Sequence, residues 1–448
     1  MARMAPAARA ATIVTAGLAL TAGCGLLPAA PGALDAAGGP CQAAAATSPG
    51  PGGTPPLTHA PGPVTFAIGS DDIGWLSPLV AAWNKQHPGT PVQPLHLPEA
   101  ANDQLAQLVA NLQAKSCLYD VIGMDVVWTA QFASSGWVIP LDEGQFPLGE
   151  FLAPAVATAR YQGRLYGVPE YTNADLLYYR TDVIKDPPAT WQQLRDDALA
   201  LARPGQGLDG YAATLAPYEG LTVNFAQAVQ SAGGSILSAD GARVTVNSPQ
   251  ALTGLNDLVS GVREGWIPQR DLGLEETSAQ QAFEAGQFLF MNNWPAAYAA
   301  MQSDPASKVA GKFDVAALPG MAPGVHGASS LGGANLAISA YSQHQQAALA
   351  FIKYLTDPAS ERLMFTQGGF PPVLTQLYED KQLRARYHYL AVLEQSIRTA
   401  LPRPAITNYD QASLAISSAA HAALTGQQAP RQALADLAAQ LARDIGTG

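Results

Sequence analysis

Val64-Thr65-Phe66-Ala67-Ile68, Val92-Gln93-Pro94-Leu95-His96-Leu97 and Tyr119-Asp120-Val121-Ile122-Gly123-Met124 decide the fold. The first and last are short apolar runs of the kind that form strands buried on both faces, and the middle one alternates by two. The stretches between them carry helical periodicity. Residues 75–85 form one helix, and in the next Leu105, Leu108, Val109 and Leu112 fall at i, i+3, i+4 and i+7, with Asn102 as the expected N-cap. Strand, helix, strand, helix, strand is a βαβαβ unit, which demands a mostly parallel sheet with helices on both faces.

The same alternation recurs downstream. Thr190 is expected to cap a helix over 191–202, Ser248-Pro249 opens another, and Thr277 opens one over 278–286. Strands are expected over 288–292, 313–318 and 334–339, and an Ala-rich helical region runs from Gln411, broken at Gly426 and Pro430. A chain of 448 residues exceeds what one hydrophobic core supports, so two lobes are expected. The 48% hydrophobic content excludes a disordered chain, and the 13% charged content, against about 25% in soluble domains, excludes a Glu- and Lys-rich coiled coil. The 42 Gly and 35 Pro imply many short elements. With 35 acidic against 24 basic residues, a nucleic acid partner is excluded.

Arg3 and Arg9 precede an uncharged run over 10–22, which reads as a secretory signal, too short for a membrane-spanning helix. Leu20-Thr21-Ala22-Gly23-Cys24 resembles the lipobox of bacterial lipoproteins, with Thr21 where that pattern prefers Leu. Residues 1–23 are therefore assigned as a signal peptide and Cys24 as the lipidated residue. The Ala-, Gly- and Pro-rich stretch 24–63 is read as a flexible tether. The other two cysteines, Cys41 and Cys117, form an even pair in an oxidising compartment, either bonded to each other or left as two thiols. No other stretch is long and apolar enough to span a bilayer, so the location is extracytoplasmic.

Enzyme signatures are absent or out of context. Gly205-Gln206-Gly207-Leu208-Asp209-Gly210 satisfies G-x-G-x-x-G but follows a helix, so it reads as a turn. There is no phosphate loop, no G-x-S-x-G and no H-E-x-x-H, and the seven His (59, 87, 96, 326, 344, 388 and 421) include no pair at helical spacing for a metal. No cofactor is called for. What stands out is Trp and Tyr beside Asn, Asp and Gly at expected strand ends: Asp125-Val126-Val127-Trp128, Tyr171-Thr172-Asn173-Ala174-Asp175 and Asn292-Asn293-Trp294-Pro295. Sugars stack their C–H faces on aromatic rings and present hydroxyls that both donate and accept, so these clusters point to a sugar site. Core packing is the alternative for any single Trp.

From Val64 onward the chain resembles the extracytoplasmic sugar-binding lipoproteins of ABC importers, the maltose-binding-protein class, and is most similar to actinobacterial trehalose-binding lipoproteins. Residues 119–137, 171–180, 231–241, Ala282-Phe283-Glu284-Ala285-Gly286, Asn293-Trp294-Pro295, 331–337 and Gly368-Gly369-Phe370-Pro371 carry the resemblance, in order along the chain. The resemblance implies an α/β fold with two periplasmic-binding-protein-like lobes. Each is a mostly parallel sheet flanked by helices, and a hinge joins them. Lobe 1 comprises 64–171 with 326–372, and lobe 2 comprises 172–325 with 373–448.

The resemblance also implies a site. Asp125 accepts sugar hydroxyls from the first lobe, Asn173 bonds the sugar near the hinge, and Glu276 accepts from the second lobe. Trp294 is the stacking platform, Gly332 and Gly333 form a loop whose bare backbone approaches the ligand, and Arg403 clamps hydroxyls. Asp71 and Asp72, after the first strand, complete the set. Gln104 either faces the ligand or, on its amphipathic helix, is solvated, the second reading being preferred, and Asn224 stands where the similar proteins carry Trp.

The function implied is a monomeric receptor without enzymatic activity. It captures a neutral α-glucoside disaccharide, trehalose first and maltose next, for a membrane permease with a separate ATPase. The alternatives are a maltodextrin or glycerophospho-compound receptor, and a secreted glycosidase using Asp125 and Glu276.

Overall fold

A computed structural model describes residues 56–70, 73–238, 241–325 and 327–445. The signal sequence, Cys24, Cys41, Asp71 and Asp72 lie outside the described residues. Cys117 is disulfide-bonded. The end of the expected tether is not free: Ala60 N donates to Gln343 O at 3.0 Å, and Thr58 Oγ1 donates to Ser342 O at 2.9 Å. The folded body therefore begins a few residues before Val64.

The strands are β1 (Val64–Gly69), β2 (Val92–Leu97), β3 (Val121–Asp125), β4 (Arg160–Tyr161), β5 (Arg164–Leu165), β6 (Val168–Ala174), β7 (Leu176–Arg180), β8 (Asp209–Ala212), β9 (Phe288–Asn293), β10 (Phe313–Ala316) and β11 (Leu331–Ile338). One sheet has the order β2-β1-β3-β11-β6, a second has β10-β7-β9-β8, and β4 and β5 make a hairpin. In β1, Val64, Phe66 and Ile68 join one apolar cluster and Ala67 joins another, so the sheet is covered on both faces, as its continuous apolar run requires.

Pairing is parallel for β1 with β2 and β3 and for β8 with β9, and antiparallel for β11 with β3 and β6 and for β7 with β9 and β10. Each sheet thus runs in one direction except for a single reversed strand, β11 in the first and β7 in the second. Each reversed strand is one the chain enters on arriving from the other lobe. The expected two-lobed α/β architecture holds, with this mixed pairing in place of uninterrupted parallel ladders.

The lobe boundaries shift. β6 stays in the first sheet through Ala174, so the first crossing falls at Asp175, not after Tyr171. β11 returns at Leu331. Helix Leu390–Thr399 packs on β6 and on helix Ala153–Thr158, which keeps residues 373–400 with the first lobe. The third crossing is near Leu401, which bonds Ser329 O and Leu331 N at 2.8 Å each, and helix Tyr409–Leu424 then packs on Glu219–Ser231 in the second lobe.

Local signals placed two of the four expected helix starts. Thr190 and Gln193 form a capping box on Trp191–Leu201, and Ser248 caps Pro249–Glu264. Helix Glu276–Glu284 begins before Thr277, with Glu275 as its cap. Asn102 does not cap its own helix, Ala101–Gln113. Its Oδ1 instead accepts from Glu219 N at 2.8 Å, serving the first turn of a helix in the other lobe. Pro204–Gln206 is a 3₁₀ turn ending at Gly207 in the left-handed region, so the stretch 205–210 begins as the expected turn, while Asp209 and Gly210 already belong to β8. Among the described residues no helix is long and apolar enough to cross a membrane.

Candidate functional site

A cavity of about 340 Å³ opens between the lobes, at the carboxyl ends of β1, β3, β6 and β9. This is where ligands of open α/β sheets sit. Asp125, Asn173, Glu276, Trp294, Gly332, Gly333 and Arg403 all line it. Gln104 lines it as well and is half-buried, so of its two readings the cleft-facing one fits this placement better than the solvated one.

The first wall is built by β3, β6 and β11. Asp125 ends β3, its Oδ1 accepting from Val127 N at 3.1 Å, so the carboxylate is turned into the cleft by its own backbone. Asn173 on β6 pairs with Gly332 on β11; it is 8% exposed, and its Oδ1 has no hydrogen-bond partner. Gly332 and Gly333 belong to β11, not to a loop. A Cβ on Gly332 would lie 2.9 Å from the Trp294 ring and 3.2 Å from Asn173 Cβ. Gly333 has φ +122°, and a Cβ there would lie 2.3 Å from Tyr171 O. The protein's own side chains and backbone, more than a ligand, require these two glycines.

The second wall comes from three chain turns. Glu219 and Glu276 open helices Glu219–Ser231 and Glu276–Glu284, where the helix dipole favours a carboxylate. Asn293 and Trp294 follow from β9, and Trp294 is braced by Tyr178, whose hydroxyl donates to Trp294 O at 2.7 Å. Aromatic surface continues across the cleft through Tyr171 and Phe370, ring centroids 4.9 Å apart.

Arg403 lies at the third crossing, 3% exposed. Nη1 bonds Glu219 Oε1, and Nη2 lies 3.4 Å from Asp125 Oδ1. Glu219 also accepts from Tyr409 at 2.5 Å and from Ser413. Burial pushes the Glu219 carboxyl above its ordinary range while Arg403 pulls it down. Burial opposes the charge on Arg403, but Tyr409, Asp125 and Glu219 outweigh it and raise its pKa. Arg403 therefore links the lobes through two carboxylates and is not a free clamp; only Nε remains unpartnered. Burial also raises the carboxyl of Glu276, which accepts from the Tyr218 hydroxyl.

Sequence reasoning missed Glu170, Glu99 and the pairing of Glu219 with Arg403. Glu219 is the first residue of a helix, a local signal, but nothing local announces a partner 184 residues away. Asn224 lies behind the wall, donating to Thr214 and accepting from Asn292 at 3.2 Å. No group of three His, Cys, Asp or Glu among the described residues is arranged to hold a metal. The cleft can bind polar, uncharged groups through amide and carboxyl oxygens and stack them on Trp294.

A family profile described as bacterial extracellular solute-binding protein matches residues 69–362. A Deinococcus radiodurans protein named "probable ABC transporter-binding protein" is 34% identical over 382 residues, covering 82% of this chain and 89% of that one. A mannitol-binding protein of Pseudomonas aeruginosa is 25% identical, covering 84% and 92%. The maltose-bound structure of MalE3 from T. maritima superposes with a TM-score of 0.80 at 31% identity, covering 85% of this chain and 98% of that one. The chain belongs to the bacterial extracellular solute-binding protein family, the extracytoplasmic small-molecule receptors of ABC transport systems.

Proposed function

We propose that the protein captures a neutral α-glucoside disaccharide, trehalose first and maltose next, between its lobes. It then delivers the sugar to a membrane permease driven by a separate ATPase. It does so as a monomer held at the outer face of the membrane by lipid on Cys24, with Cys41 bonded to Cys117.

One observation carries the ligand class. Among the described lining residues Arg403 is the one cation, and it is already shared between Glu219 and Asp125. A phosphate would find no free positive charge, whereas sugar hydroxyls are suited to Asn173, Asp125 and Glu276 around the Trp294 ring. This speaks against a glycerophospho-compound. A volume of about 340 Å³ is near the lower end of small-molecule sites and suits two sugar rings better than a maltodextrin. The maltose in the similar T. maritima structure favours a disaccharide, and the mannitol-binding relative makes polyols the competitors to test.

Thermal melts with trehalose, maltose, maltotriose, mannitol and glycerophosphocholine test the reading. A ligand that binds only the folded state raises the melting temperature, by several degrees at about 100 times its Kd. Trehalose or maltose should give the largest rise and a chromogenic α-glucoside should release no product. A largest rise with mannitol or glycerophosphocholine, or product release, would overturn it.

A further inference from the structure

β6 carries an irregularity at the cleft. Across the ladder Ala334 faces Tyr171 and Asn335 faces Pro169, so Glu170 is the extra residue of a β-bulge. Strand alternation would place Glu170 on the opposite side from Tyr171 and Asn173, yet all three line the cavity. A bulge re-aims a side chain in this way, and bulges concentrate beside functional sites.

Glu170 is 2% exposed, and its Oε1 is buried without a hydrogen-bond partner. No ion pair joins it to a described residue. A buried carboxyl without a partner is costly and is retained where something else satisfies it. We propose that Glu170 is a ligand-contacting and specificity-determining residue, aimed by the bulge at one hydroxyl of the sugar. Burial lifts its carboxyl to about 8, so at neutral pH it is mostly protonated. A neutral carboxyl donates one hydrogen bond and accepts another, as a sugar hydroxyl does. It would reject an analogue lacking that hydroxyl, because the carboxyl, with its buried Oε1, would stay unpaired.

The inference rests on the sugar-binding reading above. The experiment is calorimetry of the whole folded chain with the best sugar of the thermal panel and its monodeoxy analogues. Glu170→Gln, which keeps a donor and an acceptor, should bind within about three-fold of wild type. Glu170→Leu should lose about ten-fold or more, as expected for one lost hydrogen bond to a buried group. One monodeoxy analogue should bind wild type weakly and lose that penalty in Glu170→Leu.

Wild-type affinity in Glu170→Leu overturns the assignment while leaving the sugar reading intact. A wild-type protein that binds no sugar removes both. Should Glu170→Leu fail to melt cooperatively, the monodeoxy series on Glu170→Gln decides. A penalty altered by about three-fold or more at one hydroxyl supports the contact, and unchanged penalties at every position overturn it.

Discussion

Two adjacent residues separate ligand binding from stability. Gly332 and Gly333 both reject a side chain, but for different neighbours. A Cβ at Gly332 would push on the Trp294 ring and on Asn173, side chains that face the cleft. Gly332→Ala should therefore weaken sugar binding by about ten-fold or more while the melting temperature changes little, since a ring at a cavity edge can move. At Gly333 the neighbour is backbone and φ is positive, so Gly333→Ala should cost on the order of 1–3 kcal/mol of stability. Calorimetry and denaturant melts on the two variants check this; the reverse pattern would contradict the geometry. The residues that sequence reading placed in the cleft share one property. Asp125, Asn173 and Trp294 are polar or aromatic at a strand end, where local pattern predicts a ligand. Glu170 was illegible because it sits mid-strand, and only the pairing with β11 reveals that a bulge has turned it.

At the scale of elements, capping chemistry and apolar periodicity fixed what is local. Thr190 and Ser248 were found because a cap bonds a backbone N–H two or three residues ahead. Thr190→Ala should remove the capping box of Trp191–Leu201 and lower stability by about 1 kcal/mol. Sugar affinity should stay unchanged, because Thr190 does not line the cleft; a denaturant melt with a parallel titration measures both. Asn102 shows the limit of the same logic. Its type and position satisfy the local rule, yet Ala101–Gln113 starts without a side-chain cap and the Asn102 amide is drawn to Glu219 N. Similarly, β11 was expected from Ala334 but begins at Leu331, since Gly332 and Gly333 read as loop residues until β6 supplies the pairing. Tertiary partners overrode propensity at both places.

Across the whole molecule, these long-range contacts hold the lobes together. Asn102 Oδ1 to Glu219 N at 2.8 Å, Glu99 to Thr277, and Asp125 to Arg403 at 3.4 Å all run from the first lobe to the second. The first of these serves the first turn of a helix, where free backbone N–H groups need acceptors, and the second is a bond between side chains. When the lobes part, water can serve Glu219 N; when they meet, Asn102 must. Asn102→Ala would thus leave a donor unsatisfied in the closed form alone, at about 1 kcal/mol net, which lowers the closed-to-open ratio about five-fold. Where closed molecules are the minority before ligand binds, apparent affinity falls by the same factor, since only they grip the sugar from both sides. Where closed molecules are instead a substantial share of the sugar-free protein, small-angle scattering should show a larger radius of gyration for Asn102→Ala than for wild type. At saturating sugar the two radii should coincide, because added ligand restores the closed form by mass action. An Asn102→Ala protein with wild-type radius and wild-type affinity would show that the bond accompanies closure without contributing to it.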